Sequence, residues 1–114
     1  MKVLIPLLGK TKESYLDAGI RDYANRLSRF VSVEMPVLRE RCSHRESDET
    51  IKRSEATQLL EQAQGANLRV ALDPRGSTPD SHELAAMLGK WEGQGISTLC
   101  FLIGGHLGLH GSVL

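Results

Sequence analysis

The chain is poor in several features that would assign a function at once. It has no net charge, because Lys and Arg together number 14 and Asp and Glu also number 14. A molecule-wide basic field, the usual mark of a nucleic-acid-binding protein, is therefore excluded, although a local basic patch is not. No stretch reaches the about 20 apolar residues of a membrane span. The sequence thus predicts no membrane contact and gives no indication of DNA binding.

Cysteine is scarce, and the two cysteines have contrasting surroundings. Cys42 lies in a charged stretch and Cys100 in an apolar run. This contrast argues against a disulfide framework and favours a reducing, cytoplasmic location. The N-terminal "MKVLIPLLGK" has a short apolar run and no small-residue cleavage site, so it is interpreted as a first strand and not as a signal peptide.

Short apolar segments alternate with amphipathic ones along the chain. The predicted strands are "KVLIPLL" (2–8), "FVSVEMPVL" (30–38), "LRVALD" (68–73) and "STLCFLIGG" (97–105). The last is almost continuously apolar, as in a strand that is covered on both faces. Pro36 indicates a strand end or an edge within the second segment.

Three helices are predicted between these strands, over residues 13–29, 48–64 and 79–92. In the first, Leu16, Ile20 and Tyr23 belong to an apolar stripe at spacings of three and four. The third is expected to take Thr78 as its N-cap and Pro79 as its first residue. Its inward side chains are predicted to be Leu84, Met87, Leu88 and Trp91.

This alternation predicts an α/β fold, with a mostly parallel sheet of about four strands and three helices packed on its faces. Residues 1–114 contain no repeat and no linker, which indicates a single α/β domain.

Two loops stand at the carboxyl ends of predicted strands, where open α/β sheets bind ligands. One is the tight turn in "ALDPRG" (71–76) and the other is the glycine loop in "FLIGGHLGL" (101–109). Glycine lets a ligand approach the backbone closely. The loop does not have the G-x-G order of a dinucleotide fingerprint, so by itself it is compatible with an ordinary glycine-rich turn.

The chain as a whole is more specific than either loop. In order it carries "GKTKESYLDAGIRDYANRLSRF", "IKRSEATQLL", "VALDPRG", "HELAAMLGKWEGQG" and "FLIGGHLGL". Over almost its full length it resembles the ribosomal large-subunit methyltransferase H family, a branch of the knotted SPOUT methyltransferases. The resemblance implies a SPOUT/Rossmann-like core and a homodimer. It also implies methyl transfer from S-adenosylmethionine to N3 of a pseudouridine in the large-subunit rRNA of the ribosome.

The resemblance also implies site residues. Leu72 and Gly104 match family positions that contact S-adenosylmethionine, while Gly105 and Gly108 match the loop that surrounds them. Family members continue for some forty residues past this loop, with the knot, most of the cofactor pocket and the dimer interface. We therefore expect a family member that lacks the C-terminal knot segment and is inactive or impaired in this form. The resemblance assigns no catalytic residue to the positions present here.

Other constellations leave alternatives open. Cys42 and His44, or His106 and His110, suggest a metal site, but only the histidine pair has a spacing typical of zinc. We predict no metal, and His106 is the better candidate for a hydrogen bond to a bound nucleoside.

Charged residues allow two further hypotheses. The basic residues Arg39, Arg41, Arg45, Lys52 and Arg53 alternate with carboxylates, which is more typical of a solvated mixed-charge surface than of an RNA track. Asp73 and Asp80 are candidates for a general base, although an Asp in a turn commonly bonds its own backbone.

Three functions compete on this basis. The first is an rRNA methyltransferase. The second is a non-catalytic α/β remnant or self-associating module, and the third a small flavodoxin-like nucleotide-binding protein. The third is disfavoured because "LLGKTKES", after the first strand, has a single glycine and no phosphate loop.

Overall fold

A computed structural model of the protein describes residues 1–43 and 45–114. The strands are β1 (Lys2–Leu4), β2 (Leu7–Leu8), β3 (Ser32–Glu34), β4 (Val37–Leu38), β5 (Leu68–Leu72) and β6 (Thr98–Ile103). The helices are α1 (Ser14–Leu27), α2 (Asp48–Gln62) and α3 (Ser81–Gly93). None of these helices, in the part of the chain that is described, is long and apolar enough to cross a membrane.

Four of the strands form one sheet in the order β3-β1-β6-β5, and every pairing within it is parallel. β2 and β4 form a second, smaller parallel pair. The prediction of an α/β fold with three helices and a four-stranded, mostly parallel sheet is thereby confirmed. β1 lies between β3 and β6, so the sheet joins strands that are far apart in the sequence.

Two prolines divide what the sequence predicted as single strands. Pro6 separates β1 from β2, and Pro36 separates β3 from β4. Proline has no backbone N–H to donate to a neighbouring strand. Hydrogen bonding continues across both breaks, because Ile5 N–H donates to the Glu34 carbonyl and Leu7 N–H to the Pro36 carbonyl, each at 2.8 Å. The expected strands are therefore correct in position. The strand end indicated by Pro36 is confirmed, whereas the break at Pro6 was not predicted.

The helices divide between the two faces of the sheet. Right-handed crossovers place α1 and α3 on one face and α2 on the other. On the α2 face, Leu59 and Ala63 are buried against Leu4, Cys100 and Leu102 of the central strands. These residues form the core of the molecule, and α2 is the helix that packs on this face of the sheet.

The opposite face is more open than the apolar pattern of α1 predicts. No residue of α1 or α3, all of which are described, is buried. Between α1 and the sheet lies a groove of about 430 Å³, lined by Ile20, Val33 and other apolar residues. Tyr23 remains 71% exposed and Phe30 82% exposed. On α3, the predicted inward residues Leu84, Met87, Leu88 and Trp91 are half-buried.

The beginning of α3 differs from the prediction by two residues. Its N-cap is Asp80, not Thr78, and the helix begins at Ser81. The Asp80 carboxylate accepts the backbone N–H of Glu83 at 2.8 Å, and the Glu83 carboxylate accepts the backbone N–H of Asp80 at 3.5 Å. This reciprocal capping box satisfies two otherwise unpaired N–H groups, an advantage that Thr78 and Pro79 do not offer.

Candidate cofactor-binding site

The two loops singled out in the sequence lie side by side at the carboxyl edge of the sheet. β5 and β6 are neighbours, and their register pairs Leu72 with Ile103. Gly104 follows Ile103 directly, so the turn after Leu72 and the glycine loop leave the sheet together. The structure therefore brings together the two predicted cofactor positions, Leu72 and Gly104.

The glycine loop is a tight hairpin that folds back over Gly104. Gly108 N–H donates to the Gly105 carbonyl at 3.0 Å, and Gly108 has a φ of 81°. That φ lies in the left-handed region, which glycine adopts without strain. A Cβ added at Gly104 would lie 2.6 Å from the Gly108 carbonyl carbon and 2.8 Å from the Leu109 nitrogen. The loop backbone occupies the space that a side chain at position 104 would need, so this loop conformation requires glycine there.

The turn after β5 is held by one aspartate and one arginine. The Asp73 carboxylate accepts the Arg75 backbone N–H at 2.8 Å and two guanidinium N–H groups at 3.0 Å each. These hydrogen bonds lower the pKa of Asp73 to about 2. A carboxylate with so low a pKa is a weak base, so the candidacy of Asp73 as a general base is not supported. Asp80, the other candidate, serves as the α3 N-cap.

Between the two turns lies a cleft of about 550 Å³. We call it the turn cleft. Its apolar part includes Leu72 and Ile103, which are 49% and 40% exposed although both are strand residues. Asp73, Arg75 and Lys52 supply charge at its margin. The volume falls within the roughly 300–1,000 Å³ of typical small-molecule sites.

The residues present are compatible with a nucleoside that carries a sulfonium group. Exposed Leu72 and Ile103 offer apolar surface for a purine ring, and Gly104 allows the loop to fold tightly beside them.

The segment after the glycine loop is fixed to the first turn of α2. Ser112 N–H donates to His110 Nδ1 at 3.1 Å, so Nδ1 is an acceptor and the ring proton is on Nε2. His110 Nε2 then donates to Glu49 Oε1 at 2.8 Å, which lowers the pKa of Glu49. Leu109 and Val113 pack against the core on either side of this contact. These contacts fix the C-terminal end of the glycine loop against α2 and the core.

A second pocket opens on the other side of the glycine loop, and it includes a residue that the sequence analysis missed. We call it the α2 pocket; it measures about 200 Å³ and is lined by Glu55, Gln58, Arg39 and His106, among others. Burial raises the pKa of Glu55. The signal available in the sequence was weak: Glu55 stands beside Ala56 on a predicted helix whose apolar stripe is poorly defined.

The basic residues around positions 39–53 have separate surroundings. Arg41 is paired with Glu61 at 2.9 Å, and Arg53 lies 3.5 Å from Glu49. Lys52 borders the turn cleft and Arg39 the α2 pocket. Arg41 and Arg53, which are paired with carboxylates, fit the interpretation as a mixed-charge surface. Lys52 and Arg39 instead lie at the two pockets.

The residues considered for a metal site do not form a cluster in the part of the chain that the structure describes. His110 is engaged with Glu49 and Ser112. His106 lines the α2 pocket, and Cys42 is a free thiol. His44 lies outside the described residues. Within the remainder of the chain, no three His, Cys, Asp or Glu side chains gather in a way that could hold a metal ion.

With this geometry established, comparison with known proteins identifies the class. The family described as "Predicted SPOUT methyltransferase" matches residues 1–114. The chain belongs to this family of methyltransferases, and the turn cleft lies where its sheet ends.

The curated relatives specify the branch. The chain is 34% identical to the ribosomal RNA large subunit methyltransferase H of Acetivibrio thermocellus and 38% identical to that of Bifidobacterium animalis subsp. lactis. Both alignments cover 100% of this chain and 74% of the relative. The corresponding enzyme of Streptococcus uberis is 36% identical, with 99% of this chain and 74% of the relative covered. The resemblance stated from the sequence is thereby confirmed.

Proposed function

We propose that the chain is an S-adenosylmethionine-dependent methyltransferase that acts on large-subunit rRNA, with N3 of a pseudouridine as the methyl acceptor. One observation carries the proposal: Leu72 and Gly104, matched to cofactor positions by resemblance, end neighbouring parallel strands and line one cleft. The names of the relatives support rRNA as the substrate.

We propose Leu72 and Gly104 as cofactor-binding residues. Leu72 would cover an apolar face of the nucleoside, and Gly104 would keep the glycine loop in the shape that borders the cleft. Support comes from the exposure of Leu72 and from the position of both residues in the lining of the turn cleft.

This assignment is tested by calorimetric titration with S-adenosylmethionine. We expect micromolar affinity for the unaltered chain and no detectable heat for Gly104→Ala, because the added methyl group displaces the glycine loop. Overpacking of this kind costs about 1–3 kcal/mol of folding stability. Gly111→Ala is the matched control, since a Cβ there meets nothing within 4 Å. Equal binding by both variants would remove Gly104 from the site.

We further propose that these 114 residues catalyse transfer poorly by themselves. The turn cleft is lined from one side, by the two turns and Lys52 of α2. Methyl transfer needs the donor carbon and the acceptor nitrogen held in line, and such positioning contributes about 7–11 kcal/mol. With the chain in excess over ribosomes that lack the modification, we expect slow transfer to a single pseudouridine, located by mass spectrometry. Transfer to another nucleotide, or rapid multiple turnover, would contradict the proposal.

Homodimerisation and a cytoplasmic location complete the proposal. The resemblance implies a dimer interface in the segment after the glycine loop. The exposed aromatic residues of α1 support a separate surface for self-association on this chain, since large apolar patches commonly mark interfaces. The ribosomal substrate and the two free thiols support the cytoplasm.

A non-catalytic module remains the competing function. The fold by itself is compatible with it, because folds do not determine activity. The calorimetric experiment separates the two, since a module of this kind would bind no S-adenosylmethionine.

A further inference from the structure

Glu55 has an unusual environment for a carboxylate. Its Oε1 atom is buried and has no hydrogen-bond partner among the residues that the structure describes. Leaving a buried acceptor unpaired costs free energy, and more so when it is charged. Burial and the nearby Glu40 both raise the pKa of Glu55, while His106 acts in the opposite direction. The carboxyl group is therefore held, partly desolvated, at the wall of the α2 pocket.

Glu55 also touches the glycine loop. A Cβ at Gly105 would lie 2.8 Å from Glu55 Oε2 and 3.0 Å from Oε1, so the carboxyl group rests in the space that this glycine leaves free. Gly105 lines both the turn cleft and the α2 pocket. A group held by Glu55 is therefore adjacent to whatever the turn cleft holds.

The α2 pocket has the size and the polar groups for a single pyrimidine ring. Its volume is about 200 Å³, and an engineered cavity of about 150 Å³ is known to hold a benzene ring. Leu8, Leu38 and Ile51 provide apolar walls, and His106 provides a second polar group. Lys12 and Arg39, which also line the pocket, supply positive charge for the phosphates of a nucleotide.

The pocket wall behind Arg39 is fixed. Gln58 is 6% exposed, and its side-chain amide donates to the Arg39 carbonyl at 2.6 Å. Arg41 is held in place by Glu61 at 2.9 Å. The segment after β4 is thereby fastened to α2, which makes the pocket a preformed feature of the fold.

We infer that the α2 pocket receives the imide edge of the acceptor base, and that the Glu55 carboxylate accepts the hydrogen bond of its N3–H through Oε2, the oxygen that is not enclosed by protein. This inference rests on the proposed function, because it assumes a uracil-type base as methyl acceptor. In the transfer step, the N3–H bond breaks and the proton goes to the Glu55 carboxylate. The nitrogen's electron pair forms the bond to the methyl carbon, and the pair of the breaking C–S bond stays on sulfur. A carboxylate with a raised pKa suits this role better than Asp73.

The inference is tested without catalysis by NMR titration of the labelled chain with uridine and with N3-methyluridine. Uridine is expected to shift the Gly9 and Gly105 amides, and N3-methyluridine to bind at least about tenfold more weakly, equivalent to about 1.4 kcal/mol. Glu55→Ala should abolish this discrimination. Glu92→Gln, on α3 and away from the pocket, should preserve it. Equal binding of both nucleosides, or discrimination that survives Glu55→Ala, would overturn the inference.

A second variant separates recognition from proton transfer. Glu55→Gln keeps an oxygen that accepts the N3–H bond but cannot take up the proton at neutral pH. We expect it to retain discrimination between the two nucleosides and to lose methyl transfer to ribosomes. Full transfer by this variant would exclude Glu55 as the base.

Calorimetry with S-adenosylmethionine separates this inference from the proposed function. Glu55→Ala is expected to bind the cofactor as the unaltered chain does. Cofactor binding without nucleoside discrimination would refute the Glu55 role alone, whereas absence of cofactor binding in the unaltered chain would refute the proposed function.

Discussion

Two carboxylates at the same edge of the sheet show how environment decides what a residue can do. Asp73 is surrounded by donors from Arg75, which stabilise its charged form and lower its pKa to about 2. Glu55 is partly desolvated and lacks a donor at Oε1; burial opposes its charged form and raises its pKa. The sequence gives no means of telling the two carboxylates apart. The contrast appears only when the loops are placed in space.

Arg75→Ala tests the account of Asp73. The variant removes the two guanidinium hydrogen bonds and keeps the backbone one, so the pKa of Asp73 should rise from about 2 part of the way toward its ordinary value of 3.8. Titration of the carboxyl carbon by NMR measures this change. A pKa of Asp73 near its ordinary value in the unaltered chain would contradict the geometry of the turn.

The same hydrogen bonds have a pH-dependent effect on stability. Because the folded-state pKa of Asp73 is lowered, its stabilising contribution is present above about pH 4 and is lost as the pH falls toward about 2. Arg75→Ala should therefore lose less stability than the unaltered chain over this acidic interval.

At the scale of elements, strand and helix types were predictable because their apolar periods differ. Boundaries were less predictable, since they depend on single backbone groups. Pro6 was not recognised as a break, because a proline within an apolar run has the same hydrophobicity as its neighbours. The sequence favours Thr78 as the N-cap of α3 because Pro79 is a good first helical residue. In the structure the pair Asp80 and Glu83 caps the helix instead.

Asp80→Ala tests this capping interaction. The variant leaves the Glu83 N–H without its acceptor, and we expect a loss of about 1 kcal/mol in the free energy of unfolding. Urea denaturation followed by circular dichroism measures it. Asp80→Asn retains an acceptor oxygen and should lose little. Equal losses in the two variants would indicate that charge, and not the hydrogen bond, is responsible.

At the scale of the whole molecule, the two faces of the sheet are unequal. The α2 face is closed by Leu59 and Ala63, while the face with α1 and α3 has open apolar grooves. The apolar stripe of α1 was predictable from its spacing, but its exposure was not, because a period does not reveal how closely a helix approaches its sheet. The paired turns at the carboxyl edge were predictable, since adjacent parallel strands end together.

Tyr23→Glu tests the proposal that the α1 face mediates self-association. Tyr23 is 71% exposed and lines the α1 groove, so a carboxylate there should leave folding intact and weaken a dimer at least tenfold. Sedimentation equilibrium measures the dissociation constant. Asn25→Glu adds the same charge at another exposed position of α1 and should have little effect. A monomeric unaltered chain, or a dimer insensitive to Tyr23→Glu, would exclude this interface.

The central claim is that the turns after β5 and β6 together form one wall of the cofactor site. Titration of the ¹⁵N-labelled chain with S-adenosylmethionine, followed amide by amide, examines it most directly. The account predicts saturable shifts that are largest at 72–76 and 104–108, with the α1 amides unchanged. Shifts confined to other regions, or none at millimolar ligand, would contradict it.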